Sequence, residues 1–139
     1  MKIYVAGKWT EPEKVNYIQQ KCIELGHKIT HDWTKFEPIK RLCDLTEEEE
    51  KKYDINCAIL DIEAVQECDF VIAIMDDHEY AYRGTFTEIG CALGLNKKII
   101  IMCPQDTNEK KFYCRTNCFF HHPIIWNVHN IDDIFNLLD

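Results

Sequence analysis

The chain has 139 residues, which is the size of one ordinary domain and too few for two full hydrophobic cores. Its 24 acidic and 16 basic residues give a net charge of −8, the wrong sign for neutralising a phosphate backbone, which argues against DNA or RNA polymers as partners. One small anionic ligand is not excluded, because a helix N-terminus and a few donors can hold it. We therefore expect a single domain over residues 1–139 without a nucleic-acid polymer as partner.

The N-terminus and the apolar runs predict a soluble protein. The opening residues, "MKIYVAGKWTEPEKV", contain no secretory apolar region. The longest apolar runs, "FVIAIM" and "IIIMC", are far shorter than the roughly 18 residues that span a membrane. The eight cysteines, in the absence of a signal peptide, fit reduced thiols that behave as small hydrophobes. We expect a cytoplasmic protein with no membrane partner.

Strands and helices are predicted to alternate along the chain. Short apolar and β-branched runs predict five strands: "KIYVAG" (2–7), "HKITHDW" (27–33), "FVIAIM" (70–75), "KKIIIMC" (97–103) and "PIIWNV" (123–128). Apolar stripes with capping residues predict four helices: 10–26, which Thr10 and Glu13 would cap, 46–69, which Thr46 and Glu49 would cap, 84–94, and 131–138 after a capping Asn130. The alternation predicts an α/β fold, a doubly wound, flavodoxin-like or Rossmann-like sandwich with a central parallel sheet of about five strands.

Two connections show no clear period. Residues 34–45 include Pro38 and predict a loop with a helical turn. Residues 104–122 are longer than a usual connection, and loops of that length are often functional. This second segment suggests a zinc site, but its spacing matches no standard finger, and we expect no metal. The cluster in question is Cys114, Cys118, His121 and His122.

Ligands of a doubly wound sheet bind outside the carboxyl ends of its strands, where the strand order reverses. This rule selects the loop after the first strand, residues 7–10. It also selects residues 76–83, after "FVIAIM", and the start of the helix that carries Glu88.

The stretch "GTFTEIGCALG", residues 84–94, allows two interpretations of Glu88. Thr85 and Glu88 have capping-box spacing, and a first-turn carboxylate is favoured by the helix dipole, so the acid can be structural. Small residues around it, Gly84, Cys91 and Ala92, leave room for another molecule, so the acid can also do chemistry.

Asp61, Tyr4 and Trp9 likewise have a structural and a functional interpretation. Asp61 lies among apolar helix residues, where burial would raise its pKa, although a solvated helix-face acid is the common case. Tyrosine and tryptophan are usually packing residues. In a cleft, however, the Tyr4 hydroxyl can hold a carboxylate and the Trp9 indole can stack on a flat heterocycle.

The chain resembles the nucleoside 2-deoxyribosyltransferase family, which includes the related 2′-deoxynucleoside 5′-monophosphate N-glycosidases. The resemblance lies in "KIYVAGKW", "DIEAVQECDFVIAIMDD" and "GTFTEIGCALGLNKKIIIM", and extends to about Pro104. Its most specific part is the Gly-Thr-x-x-Glu-x-Gly-x-Ala segment followed by a buried strand. The resemblance implies cleavage of the N-glycosidic bond of a 2′-deoxynucleoside, with no cofactor.

The resemblance also implies a role for individual residues. Glu88 matches the nucleophile, Asp61 the residue linked to proton transfer at the base, and Tyr4 the residue that positions the nucleophile. Trp9 matches the aromatic residue that lines the base site. The other expected substrate-binding residues are Gly7, Lys8, Asp76, Asp77, Tyr82, Arg83 and Gly84.

Two departures from the family pattern bear on the substrate. Many transferases carry an acid two residues before the motif glycine, where this chain has Tyr82, so Asp76 or Asp77 would replace it at the sugar hydroxyl. The nucleotide hydrolases have a Gly-, Ser- and Arg-rich first loop for the 5′-phosphate, and "GKWTEPE" lacks it. Lys8 and Arg83 keep a monophosphate substrate open.

The expected function is transfer of a deoxyribosyl group from a deoxynucleoside to another nucleobase through a covalent glycosyl-Glu88 intermediate. Two alternatives stay open. One is hydrolysis of a 2′-deoxynucleoside 5′-monophosphate, and the other is a non-catalytic nucleotide-binding module on the same fold. The resemblance further implies a homodimer or larger homo-oligomer, for which residues 112–123, "FYCRTNCFFHHP", are the candidate contact.

Overall fold

The computed structural model describes residues 1–35 and 45–139, and helices and strands alternate through these ranges. The strands are β1 (Lys2–Ala6), β2 (Lys28–Ile29), β3 (Phe70–Ile74), β4 (Lys98–Met102) and β5 (Ile125–Val128). The α-helices are α1 (Pro12–Glu24), α2 (Glu47–Glu67), α3 (Arg83–Gly94) and α4 (Ile131–Leu138).

The five strands form one parallel sheet in the order β2-β1-β3-β4-β5. This order confirms the doubly wound α/β fold. The chain leaves β1 toward β2 on one side and returns to β3 on the other, so the strand order reverses between β1 and β3. In doubly wound folds, the carboxyl ends of the two strands at such a reversal form the ligand-binding crevice.

Side chains of β1 alternate between the two faces of the sheet. Tyr4 and Ala6 belong to the apolar cluster that α2 and α3 cover, whereas Ile3 and Val5 belong to the cluster on the α1 and α4 side. Tyr4 therefore faces the two helices that carry Asp61 and Glu88.

Several predicted helix ends are confirmed. Thr46 caps α2 by accepting a hydrogen bond from the Glu49 backbone N–H at 3.2 Å. Asn130 caps α4 by accepting one from the Asp133 N–H at 2.9 Å. Gly26, just past the end of α1, has a φ of +85°, which glycine adopts at low cost.

Two other boundaries differ from the prediction. Thr10 does not cap α1, because the N-cap position is Glu11, which makes no side-chain capping bond, and Pro12 takes the first helical position. The second strand is only Lys28–Ile29 instead of residues 27–33. It ends early because the chain turns into the 3₁₀ segment Trp33–Lys35.

The connections are only partly described. Of the predicted loop 34–45, residues 36–44 lie outside the described residues, while 34 and 35 complete the 3₁₀ segment after β2. The long connection before β5 contains two 3₁₀ turns, Tyr113–Thr116 and Cys118–His121. The side chain of Cys114, part of the suggested zinc cluster, also lies outside the described part.

Two features are absent from residues 1–35 and 45–139, the described part of the chain. No helix there is long and apolar enough to cross a membrane. Among the side chains that the structure describes, no three His, Cys, Asp or Glu residues form a group that could hold a metal ion.

Candidate active site

Glu88 lies further into its helix than the capping-box interpretation requires. Helix α3 begins at Arg83, its N-cap is Tyr82, and no side chain makes a capping bond there. Glu88 is therefore in the second turn, and the interpretation as a first-turn cap is wrong. The helix macrodipole contributes little at Glu88 as well, because its effect falls off within the first turn.

The Tyr4 hydroxyl holds the Glu88 carboxylate. It donates a hydrogen bond to Oε1 of Glu88 at 2.8 Å across 84 residues of sequence. The tyrosine side chain is fully buried in the sheet, so its hydroxyl has little freedom to move. The bond fixes one carboxylate oxygen and leaves the other available to a ligand in the crevice.

Asp61 approaches the same hydroxyl from α2. Its carboxyl group lies close enough to Tyr4 and to Glu88 to influence the ionisation of both. On its other side, Oδ1 of Asp61 lies 3.9 Å from Nε2 of His31. Tyr4 therefore stands between two carboxyl groups contributed by different helices.

The environment shifts both carboxyl groups toward the protonated form. Burial, together with the charge of Asp61, raises the pKa of Glu88 to about 8 against the opposing effect of the hydrogen bond from Tyr4. Burial also raises the pKa of Asp61, while the neighbouring His31 and Tyr4 lower it. Two such carboxyls titrate as a pair and share a proton near neutral pH.

Ion pairs join the loop after β1 to the loop after β3. Nζ of Lys8 lies 2.6 Å from Oδ2 of Asp77, and Lys14 bonds to Asp76 in the same way. The carboxylate of Glu11 lies within 3.5 Å of Lys8 and 3.6 Å of Lys14. The five side chains form one network beside the carboxyl ends of β1 and β3.

Tyr82, an expected substrate-binding residue, has a buried side chain. Its side chain is only 1% exposed, and its hydroxyl accepts a hydrogen bond from the Asp77 backbone N–H at 2.8 Å. The backbone of Tyr82 has a φ of +52°, a left-handed conformation unusual for a bulky residue. Tyr82 therefore closes the loop between β3 and α3, and its direct contact with a substrate is not supported.

The remaining predicted residues differ in their surroundings. A Cβ atom at Gly7 would come within 2.8 Å of Cγ2 of Val15, so glycine is needed there for the close approach of α1. A Cβ atom at Gly84 would have no neighbouring atom within 4 Å, as expected for a position that leaves room for a ligand. Trp9 is half exposed beside the crevice, and Arg83 is exposed at the start of α3.

A pocket of about 450 Å³ lies next to this site without containing the carboxyl pair. Its wall includes Phe86, which is two residues from Glu88 and so points from a different face of α3. Asp77 and Tyr80 of the loop between β3 and α3 also belong to the wall of this pocket. Chemistry and geometry together favour the crevice at Glu88 over this pocket as the reaction site.

A family model described as nucleoside 2-deoxyribosyltransferase matches residues 3–137. The chain belongs to the nucleoside 2-deoxyribosyltransferase family. The match includes β5 and most of α4, beyond the segments in which the resemblance was visible by motif. No curated protein sequence matches the chain significantly.

Two solved structures share the fold over nearly the whole chain. The CMP N-glycosidase BcmB of Clostridium botulinum superposes with a TM-score of 0.65 at 19% identity, covering 100% of this chain and 99% of its own. A conserved protein from Enterococcus faecalis V583 superposes with a TM-score of 0.64 at 15% identity, covering 98% and 95%. At these identities the similarity shows the fold alone.

Sequence reasoning missed two parts of this family member's site. His31 lies inside the predicted strand 27–33, but β2 ends at Ile29, so the histidine lies at the carboxyl edge of the sheet beside Asp61. A correct strand end would have marked it by the edge rule. The charged residues Glu11 and Lys14 were assigned only to a helix start, because nothing local in the sequence points to Asp76 as their neighbour.

Proposed function

We propose that this member of the nucleoside 2-deoxyribosyltransferase family cleaves the N-glycosidic bond of 2′-deoxynucleosides and transfers the deoxyribosyl group to another nucleobase. The observation that carries the proposal is the 2.8 Å hydrogen bond from Tyr4 to Glu88, with Asp61 at the same hydroxyl. It supplies a carboxyl group held in place as the nucleophile and a second carboxyl group beside it that can exchange a proton with the base.

The first half-reaction makes a covalent sugar intermediate. The free oxygen of the Glu88 carboxylate attacks the anomeric carbon through an oxocarbenium-like transition state. The electron pair of the breaking C–N bond leaves with the base, and the proton of Asp61 moves to that base. The products are a glycosyl-Glu88 ester, a neutral base and an ionised Asp61.

The second half-reaction returns the enzyme to its starting state. A nitrogen of the acceptor base attacks the anomeric carbon, and Glu88 leaves as a carboxylate. The acceptor loses its proton to Asp61, which is again ready to protonate a leaving base. Neither half-reaction consumes a cofactor.

Replacement of the nucleophile tests the proposal. Glu88→Gln keeps the shape of the side chain and removes the attacking charge, so we expect base exchange on a deoxynucleoside panel to fall by at least about 10³-fold. Glu79→Gln, which removes a charge from an exposed position of the neighbouring loop, is the matched control. Full activity in Glu88→Gln would contradict the nucleophile assignment.

Trapping supplies a second readout. A 2′-fluoro-2′-deoxynucleoside analogue slows the breakdown of the glycosyl ester, so intact mass should show one sugar adduct on the wild-type protein and none on Glu88→Gln. An adduct on another residue would move the assignment to that residue.

Transfer to water is the second candidate. The similar structure from Clostridium botulinum is a CMP N-glycosidase and is covered over nearly its whole length, which favours hydrolysis of a nucleoside 5′-monophosphate as the alternative. Release of free base without an acceptor, and a faster rate with a 5′-phosphate, would support it. Tight binding without turnover in either assay would instead support a non-catalytic module.

The oligomeric state belongs to the same proposal. We expect a cytoplasmic homodimer or larger homo-oligomer that uses residues 112–123, where Phe119 has 62% of its surface exposed. Light scattering coupled to gel filtration measures the mass directly. A monomer at assay concentration would contradict the expected assembly.

A further inference from the structure

Building on the proposed glycosyl transfer, we propose that the ion pairs at the sheet edge make the site select unphosphorylated deoxynucleosides over their 5′-monophosphates. Asp76 and Asp77 are the specificity-determining residues. They act by occupying the two lysines that a phosphate would otherwise use.

The turn after β1 is where doubly wound folds hold phosphate, because the following helix presents unpaired N–H groups and the positive end of its dipole. In this chain the equivalent helix end is poorly suited to an anion. Pro12 occupies the first helical position and has no N–H to donate. The N-cap residue is Glu11, whose carboxylate brings negative charge to the same end.

The lysine of this turn, Lys8, and the lysine in the first turn of α1, Lys14, are already paired with carboxylates. Lys8 pairs with Asp77 at 2.6 Å, and Lys14 pairs with Asp76. With Glu11 in contact with both, the network contains two cations and three anions, which is a net charge of −1. The hydrogen bond from Lys8 also lowers the pKa of Asp77, so this carboxylate stays ionised at neutral pH.

A phosphate has to compete with these carboxylates. It carries a charge of about −1.5 to −2 at neutral pH and would have to displace Asp77 or Asp76 from its lysine. The displaced carboxylate would then remain beside the phosphate as an unpaired like charge. A neutral 5′-hydroxyl disturbs neither pair, so the network favours the nucleoside.

The test compares each common 2′-deoxynucleoside with its own 5′-monophosphate. We expect wild-type kcat/KM to favour the nucleoside by about tenfold or more, the range in which one like-charge contact alters recognition. Asp77→Asn and Asp76→Asn remove the competing charges without changing side-chain size, and each should reduce this ratio severalfold, mainly through a lower KM for the monophosphate. The ratio cancels any loss of activity that both substrates share.

Glu79→Gln is the control, because it removes one negative charge from the same loop at a position that faces His78 instead of a lysine. It should leave the ratio unchanged. Equilibrium binding of the same pairs to Glu88→Gln, alone and combined with Asp77→Asn, repeats the comparison without turnover.

The outcomes separate this inference from the proposed function. Absence of turnover in the wild type contradicts the proposed function, while the binding ratios still measure selection. A wild-type protein that binds or turns over monophosphates as well as nucleosides overturns the inference, and so does one that binds neither. An Asp77→Asn ratio that moves no more than that of Glu79→Gln also overturns it.

Discussion

Removal of one hydroxyl group, by Tyr4→Phe, should change the pH dependence of the reaction in a defined direction. The hydroxyl donates a 2.8 Å hydrogen bond to the Glu88 carboxylate and so favours its ionised form. Hydrogen bonds to charged groups contribute about 1.5–3 kcal/mol, which corresponds to about one to two units of pKa. Tyr4 also lowers the pKa of Asp61, and losing that effect offsets part of the change. We therefore expect the lower end, about one unit.

The productive protonation state is a minor one. Reaction requires Glu88 ionised and Asp61 protonated, yet burial holds the pKa of Glu88 at about 8. Burial raises the pKa of Asp61 as well, but His31 and Tyr4 oppose that rise, so the proton that the pair shares resides mainly on Glu88. Each unit by which the pKa of Glu88 rises relative to Asp61 reduces the productive fraction about tenfold.

The measurement is kcat/KM for a deoxynucleoside between about pH 5 and 10. Wild-type activity should pass through a plateau and fall above about pH 8, where the pair loses its remaining proton. Tyr4→Phe should lower the plateau of kcat/KM about tenfold and shift the falling limb to higher pH by about one unit. The curves of the wild type and the variant therefore converge at high pH.

Tyr17→Phe, which removes a hydroxyl from a half-exposed tyrosine of α1, is the control and should change neither the plateau nor the limb. Thermal unfolding of both variants checks the fold. A Tyr4→Phe loss that is the same at every pH, or the absence of a loss, would refute the electrostatic reasoning.

Two further predictions concern the acid and the close-packed glycine. Asp61→Asn should slow base release most for the most basic leaving groups, because these depend most on protonation, and a uniform loss across a leaving-group series would contradict its role as acid. Gly7→Ala should destabilise the protein by about 1–3 kcal/mol, because its Cβ would meet Val15 at 2.8 Å. Gly84→Ala, with open space at its Cβ, should leave thermal stability unchanged or raised and reduce only substrate binding. Equal melting temperatures for the two glycine variants would contradict this distinction.

Three Thr-x-x-Glu patterns predict helix starts in this sequence, and they show what local spacing can decide. Of these three, only the pattern at Thr46 caps its helix. Thr10 fails because Pro12 prefers the first helical position, which moves the N-cap to Glu11. Thr85 fails because α3 starts at Arg83, before the pattern. The early start depends on a left-handed Tyr82, a conformation that residue propensities do not predict.

The architecture was more predictable than the contacts within it. Continuous apolar runs identified β3 and β4 as buried parallel strands, and the edge rule then located the crevice that contains Glu88. The meeting of Tyr4 with Glu88 was implied by family resemblance, since 84 residues separate them. The pairing of Lys14 with Asp76, across 62 residues, had no signal in spacing or composition, because such contacts depend on side-chain positions in the folded chain.

The hydrogen bond from the Asp77 backbone N–H to the Tyr82 hydroxyl orders the loop between β3 and α3 before a ligand binds. The same loop is closed again by bonds from the Glu79 N–H to the Asp77 side chain at 3.0 Å and from the Tyr80 N–H to the Asp77 carbonyl at 3.3 Å. Fixing a residue's backbone costs about 1–2 kcal/mol in conformational entropy. In this loop the loss of conformational entropy occurs during folding. Ligand binding therefore does not have to order the loop and keeps more of its favourable free energy. A ligand in the crevice encounters a preorganised surface.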